Sequence, residues 1–163
     1  MKIIKNIFTF ILIMSLAISS LCIPTFAEEN TLPEKSTWAI EVSSKFGNCE
    51  RSAIDGNLKT YWHSYYEVEG GVAVNPDPVP YYVYVTFPSE TVFSGVDITP
   101  RADEGAHINE VSVYVSDIAT NNHEDESWVL IAENATFATP KKEDQTPFSI
   151  DFGTNVKAKK MMF

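Results

Sequence analysis

The stretch Ser52-Ala53-Ile54-Asp55-Gly56-Asn57-Leu58-Lys59-Thr60-Tyr61-Trp62-His63-Ser64 concentrates more groups able to do chemistry than any other part of the sequence. Asp55 offers a carboxylate and Thr60 a hydroxyl, and a tightly turned backbone can aim the carbonyls of Ser52 and Asn57 inward. An oxygen-only donor set of this kind suits Ca2+. Asp55-Gly56-Asn57 is equally a plain tight turn, in which glycine supplies positive φ and Asp or Asn bonds the local backbone. The acidic residues that an EF-hand needs further along its loop are absent, so that motif is excluded.

Other chemistries find less support. His63, His107 and His123 show neither His-Glu-x-x-His spacing nor a Cys/His cluster, which argues against a catalytic zinc. There is no Gly-x-Ser-x-Gly elbow, no phosphate-cradling glycine loop and no dinucleotide fingerprint. The acidic runs Asp103-Glu104 and Glu124-Asp125-Glu126 could in principle supply the paired carboxylates of glycoside hydrolysis. Runs of that kind in polar segments are more often solvated faces. Cys49 reads as a catalytic thiol or, more simply, as small filler, since no histidine stands at a suggestive spacing.

These residues sit in a chain of 163, with 12 Lys+Arg against 22 Asp+Glu. Residues 1–27 read as a secretory signal: Lys2 and Lys5, an apolar run from Ile7 to Ile23, then Pro24-Thr25-Phe26-Ala27 before Glu28-Glu29. A retained membrane anchor is the alternative, because the run approaches the length that spans a bilayer. Ser20-Leu21 before Cys22, with Ile23 and Pro24 after it, is a poor lipoprotein signal. Cleavage after Ala27 leaves 136 residues, enough for one domain, and ten basic against 22 acidic side chains, a balance of −12. So acidic a surface repels phosphate backbones and anionic headgroups, which excludes nucleic acid as a partner. It also leaves Cys49 as a single cysteine, so no internal disulfide staples the fold.

Residues 28–36 read as a short polar linker. Beyond them, period-two segments recur between turn residues, and no helical period stands out. Strands are expected at Trp38–Ser43, Tyr81–Phe87, Phe93–Thr99, Glu110–Ser116, Trp128–Ala132 and Phe148–Phe152. Tyr81, Val83, Val85 and Phe87 share one face, Val96 and Ile98 point inward, Val111, Val113 and Val115 alternate with Ser112, Tyr114 and Ser116, and Phe148, Ile150 and Phe152 point inward. Short half-buried strands at this density predict an all-β antiparallel sandwich. Two strand-free stretches interrupt them, about Lys45–Pro80 and Asp117–Ser127. Function is expected in the first, since a loop of that length is uncommon otherwise. Val156–Phe163 reads as the opening of a further strand cut off mid-element, with a bare sheet edge as the consequence.

Four motifs in order, A-I-D-G-N-L-K-T-Y-W-H-S, P-Y-Y-V-Y-V-T-F, V-D-I-T-P-R and E-V-S-V-Y-V-S, make residues 37–163 resemble an F5/8 type C (discoidin-like) domain, specifically its bacterial branch, carbohydrate-binding module family 32. The resemblance implies a galactose-binding-domain-like jelly roll with a structural calcium under one end and a shallow sugar site on loops. Ser52, Asp55, Asn57 and Thr60 match the family's calcium loop. His63 matches its sugar-contacting histidine, Tyr66 falls where some members place a stacking aromatic, and Arg101 matches the arginine of the Pro-Arg motif. Two departures stand out. Glu104-Gly105-Ala106-His107 replaces the Asn-Gly expected after the arginine, and the family's terminal acidic ligand and site-closing aromatic have no counterpart up to Phe163.

The implied chemistry is consistent in itself. A fork of guanidinium donors and an imidazole can hold adjacent sugar hydroxyls while an aromatic ring covers the apolar C–H face. The expectation is therefore a secreted, non-catalytic module, possessing no activity of its own, that binds terminal galactose-type or amino sugars on a glycan or polysaccharide. Such a module would be monomeric, not membrane-inserted, and would target an attached enzyme or adhesin, secreted or held at the cell surface. The alternatives are the leading module of a glycoside hydrolase and, against the charge, a phospholipid-docking discoidin domain.

Overall fold

The computed structural model describes residues 32–101, 108–141 and 143–163. The leader therefore lies outside the described residues, as do residues 28–31 of the linker and residues 102–107. Seven strands, all paired antiparallel, and two short 3-10 turns make up the regular structure. Strands β1 (Ala39–Val42), β4 (Val83–Ile98), β7 (Phe148–Met162), β5 (Glu110–Ser116) and β6 (Val129–Thr136) form one sheet in that spatial order. Strands β2 (Glu67–Glu69) and β3 (Val72–Val74) form a separate hairpin.

The sheet closes over a core because its two longest strands bend. Val85, Phe87 and Met161 from one half of the β4–β7 ladder share a cluster with Phe93, Val96, Phe152 and Val156 from the other. A flat ladder could not bring both halves to one core. The bends fall at two register shifts, between Thr86 and Thr91 and between Phe93 and Gly95. Such irregularities bend a strand and turn it from one layer into the next. At the second, the inward set passes from odd positions (Phe87, Phe93) to even ones (Val96, Ile98), and Gly153 on β7 takes φ +69°. The result is the all-β antiparallel sandwich that the alternation predicts, in the jelly-roll form that the family resemblance implies.

Gly95 is where the strands come closest. A Cβ there would meet the Ile150 carbonyl oxygen at 2.5 Å, and that oxygen is backbone and cannot swing aside. Gly95→Ala should therefore destabilise by about 1–3 kcal/mol, the usual range for overpacking. An unchanged thermal melt would contradict the close approach.

Four segments differ from the sequence-based expectation. Residues 45–80 are not strand-free, because the β2–β3 hairpin lies within them. Its strands have three residues each and are exposed throughout, so they carry no inside–outside alternation, and only the Gly70-Gly71 turn marks them. The strands expected at Tyr81–Phe87 and Phe93–Thr99 are one continuous strand, since Pro88-Ser89-Glu90 stays extended through the first bulge. Strand β6 runs four residues past Ala132. Val156–Met162 does not open a new strand. It is the second half of β7, paired with β4 and, at Lys160–Met162, with β5, so it lies mid-sheet. Phe163 exchanges both backbone hydrogen bonds with Val83.

Candidate functional site

The loop between β1 and β2 is fastened to the core at one point. A 3-10 turn at Glu50–Ala53 delivers Ile54 into the main hydrophobic cluster, 8% exposed, immediately before Asp55. The Arg51 guanidinium secures the turn by donating to the carbonyls of Trp38 and Lys35. Lys45 pairs with Glu50 at 2.7 Å, which holds the Glu50 carboxyl below its ordinary range.

After Ile54 the chain makes an Asx turn. The Asn57 N–H donates to Asp55 Oδ1 (2.8 Å), the Thr60 hydroxyl donates to Asp55 Oδ2 (2.6 Å), and the Thr60 N–H donates to the Asn57 carbonyl (3.0 Å). Gly56 at φ +74° permits the reversal. The hydrogen bond from Thr60 is the main cause that holds the Asp55 carboxyl below its ordinary value of 3.8, with the Asn57 N–H next. A depressed carboxyl stabilises the fold above its unfolded pKa, and that contribution disappears as pH falls through the folded value. Wild type should therefore out-melt Asp55→Asn near neutral pH, and the gap, small because the group is exposed, should close as the pH falls below the ordinary carboxyl value of 3.8. A constant gap across that range would contradict the assignment.

Asp55 Oδ2 and the Asn57 carbonyl oxygen both lie within hydrogen-bonding distance of Thr60 Oγ1, and oxygens of these kinds are the donors a hard cation takes. Ser52 is separate: its N–H donates to Cys49, and no contact ties it to Asp55. Among the described residues no group of three or more His, Cys, Asp or Glu side chains could hold a metal. Of the four residues that the resemblance assigns to a calcium loop, Asp55, Asn57 and Thr60 are thus drawn together, with one carboxylate among them.

The loop then turns back past residues 43–49. The Trp62 indole donates to the Ser44 carbonyl (3.0 Å), and the His63 carbonyl accepts from the Phe46 N–H (3.2 Å) and the Cys49 thiol (3.5 Å). Cys49 is free and half-buried, and the contact recorded for its thiol is this structural one. His63 Nδ1 lies 3.0 Å from the Ser64 carbonyl. In the tautomer that carries its proton on Nδ1 this contact is a hydrogen bond, and Nε2 is then the acceptor.

Around His63 the rings gather. Tyr66 lies 5.5 Å from it, Tyr61 5.8 Å, and Phe46 stacks on it at 5.4 Å and on Tyr66 at 4.7 Å. The Arg101 guanidinium sits 4.0 Å above the Tyr61 ring, a cation–π contact. Arg101 comes from the segment after β4, so two distant stretches of chain meet here. His63, Tyr66 and Arg101 thus belong to one run of contacts, Arg101–Tyr61–His63–Tyr66–Phe46. Sequence reasoning missed Phe46 and Tyr61, exposed by 44% and 38%. Their signal was an aromatic in a polar loop and the unbroken Tyr61-Trp62-His63 run. The calcium loop residues adjoin this group in sequence but show no ring contact with it.

The ring cluster is a surface feature. A cleft of about 500 Å³ lies between the end of β1, the Asp77–Tyr84 segment and the Asn121–His123 loop, and none of the cluster's five residues lines it. Among the described residues no helix is long and apolar enough to cross a membrane.

A bent antiparallel jelly roll carrying polar and aromatic side chains on loops at one end defines a broad class of recognition domains. Within that class, the F5/8 type C domain family matches residues 36–161, and this chain belongs to it. Galactose oxidase of Gibberella zeae is 32% identical over 91 residues, which are 53% of this chain and 12% of that protein, so the chain spans a small part of it. The family 32 module of Clostridium perfringens NanJ, solved with galactose, superposes with a TM-score of 0.61 at 21% identity, covering 79% of this chain and 82% of that one. A second Clostridium perfringens module, CpGH89CBM32-5, solved with GalNAc-β-1,3-galactose, gives 0.61 at 13% identity over 81% and 86%. At these identities the likeness is one of fold.

Proposed function

We propose that the chain is an exported, non-catalytic carbohydrate-binding module for terminal galactose-type or amino sugars. The observation that carries this reading is the meeting of half-buried His63, Tyr66 and Arg101 in one ring cluster with the exposed Phe46 and Tyr61. Its structural neighbours include modules solved with galactose and with a GalNAc-terminated disaccharide, which supports the same ligand class. Recognition proceeds by complementarity. His63 Nε2 accepts a sugar hydroxyl, the Arg101 guanidinium donates to neighbouring ones, and the Tyr66–Phe46 pair offers a ring face to the apolar side of the pyranose. No bond is made or broken.

Calcium, when bound, would brace the Asp55 loop through Asp55, Asn57 and Thr60, with the Ser52 carbonyl as the further ligand that the family resemblance supplies. A cation that binds only the folded chain stabilises it by about 2.7 kcal/mol at a hundredfold excess over Kd. Added calcium should therefore raise the melting temperature by several degrees and EDTA should reverse it. An identical melt with and without EDTA would remove calcium from the account.

A glycan array on the full chain tests the function itself. Retention of galactose- or GalNAc-terminated glycans is expected, and an array without signal would sink the reading. Membership of a larger enzyme is the second reading, favoured by a galactose oxidase match that covers only 12% of that protein. On it, the same binding would target an attached catalytic domain to its substrate, as it would an adhesin. Phospholipid docking is disfavoured, because the protein's net charge is −10 and the exposed hairpin Glu67-Val68-Glu69-Gly70-Gly71-Val72 carries acids and no base.

A further inference from the structure

The cleft of about 500 Å³ has a lining of its own chemistry. One wall is the Tyr82 ring with the exposed His123 imidazole laid flat on it, 4.2 Å apart and 15° from parallel. Tyr84 lines the cleft next to Tyr82, its ring 6.3 Å away. Two carboxylates face the same space, Glu41 from β1 and Asp77, whose Oδ2 is held by the Ser44 hydroxyl. Asn121 contributes an amide whose oxygen is taken by the Lys160 ammonium, which leaves its NH2 as a donor. Lys160 itself is 3% exposed and lies beneath, 5.6 Å over the Tyr84 ring, so the lining contains carboxylates and no lysine or arginine.

That combination selects a ligand. Aromatic faces suit an apolar ring surface, and carboxylates are acceptors only, so they want hydroxyl or ammonium donors. A volume of this size falls within the range of small-molecule sites, which is ample for a sugar ring. An anionic ligand would meet the two carboxylates at the surface, whereas the nearby ammonium, that of Lys160, is buried beneath them and engaged by Asn121. The cleft is also tied to the loop that bears the ring cluster. Ser44 lines it, while its carbonyl accepts from Trp62 and its hydroxyl oxygen accepts from the Tyr65 N–H.

We infer that this cleft is a second saccharide subsite, taking a neutral or amino-sugar ring against Tyr82 and His123 with its hydroxyls on Glu41 and Asp77, and excluding uronic acids. It rests on carbohydrate recognition as the chain's function but not on the His63 cluster. The test is an NMR titration of the full chain with lactose, glucosamine trisaccharide and trigalacturonate, following the ring resonances of His123 and Tyr82 alongside those of His63 and Tyr66.

Lactose and the glucosamine trisaccharide should move the His123 and Tyr82 signals, and trigalacturonate should leave them in place. His123→Ala and Glu41→Gln, both at exposed side chains, should each weaken that phase by roughly tenfold. The phase should survive His63→Ala. If only His63 and Tyr66 respond to sugar, this subsite is wrong and the function proposed above stands. If His123 and Tyr82 respond in His63→Ala as well, the subsite stands whatever becomes of the first cluster. Should no sugar move either pair, both ideas fail together.

Discussion

Alanine in place of Phe87 should lower stability by about 3–5 kcal/mol, the range for truncating a buried phenylalanine. Phe87 is 5% exposed and stands where the sandwich turns its first corner, one residue before Pro88 and the shifted ladder. The Trp38 ring meets it edge-on at 5.0 Å, and Phe93, on the far side of the bulge, lies 4.6 Å away. Truncation therefore opens a cavity between the two halves of β4 and removes two aromatic pairs that the remaining side chains cannot restore. In a domain of this size the melting temperature should fall by something on the order of 10–20 °C. A fall of only a few degrees would mean that the core lies elsewhere.

The second large effect is on binding. His63→Ala and Arg101→Ala should each weaken galactose binding by roughly 10–100-fold, because each removes a hydrogen bond worth about 1.5–3 kcal/mol where a charged or desolvated group is involved. Arg101→Lys should recover little, since a lysine lacks the planar fork and cannot lie over Tyr61 in the same way. Neither substitution reaches the core, so melting temperatures should stay close to wild type. Calorimetric titration separates the two quantities. Binding within twofold of wild type in both variants would remove the proposed site, whatever sugar the array selects.

Much of this architecture is legible in the sequence because the core imposes a strict period. Val113 and Val115 on β5, and Phe148, Ile150 and Phe152 on β7, fall on the side that alternation assigns to them. What alternation cannot express is pairing at a distance. Pro88-Ser89-Glu90 has the composition of a turn, yet β1 and β7 hold the flanking residues in register and the strand runs through. Val156–Phe163 reads from sequence as the start of a strand because its partners, Val83–Thr86, Thr91–Phe93 and Tyr114–Ser116, lie some 40 to 80 residues upstream.

The candidate site was legible differently. His63, Tyr66 and Arg101 came from motif order, and the fold that the motifs imply is what brings residue 101 back over residue 61. Phe46 escaped because a single phenylalanine in Lys45-Phe46-Gly47-Asn48 has no period to mark it, and its role depends on three hydrogen bonds that pin the Ser44–Cys49 segment against His63. The Tyr82–His123 wall was invisible for a related reason. Its two rings belong to segments about 40 residues apart, and no local pattern pairs them.

The central claim is that one cluster of imidazole, guanidinium and aromatic rings grips a sugar. Its most direct test is a galactose titration of the wild-type chain observed through the imidazole of His63 and the ring protons of Tyr66 and Phe46. The account predicts that these signals shift together along one saturable curve, with upfield movement where the pyranose lies over a ring. Signals that stay fixed to saturation, while others elsewhere on the sandwich move, would contradict it.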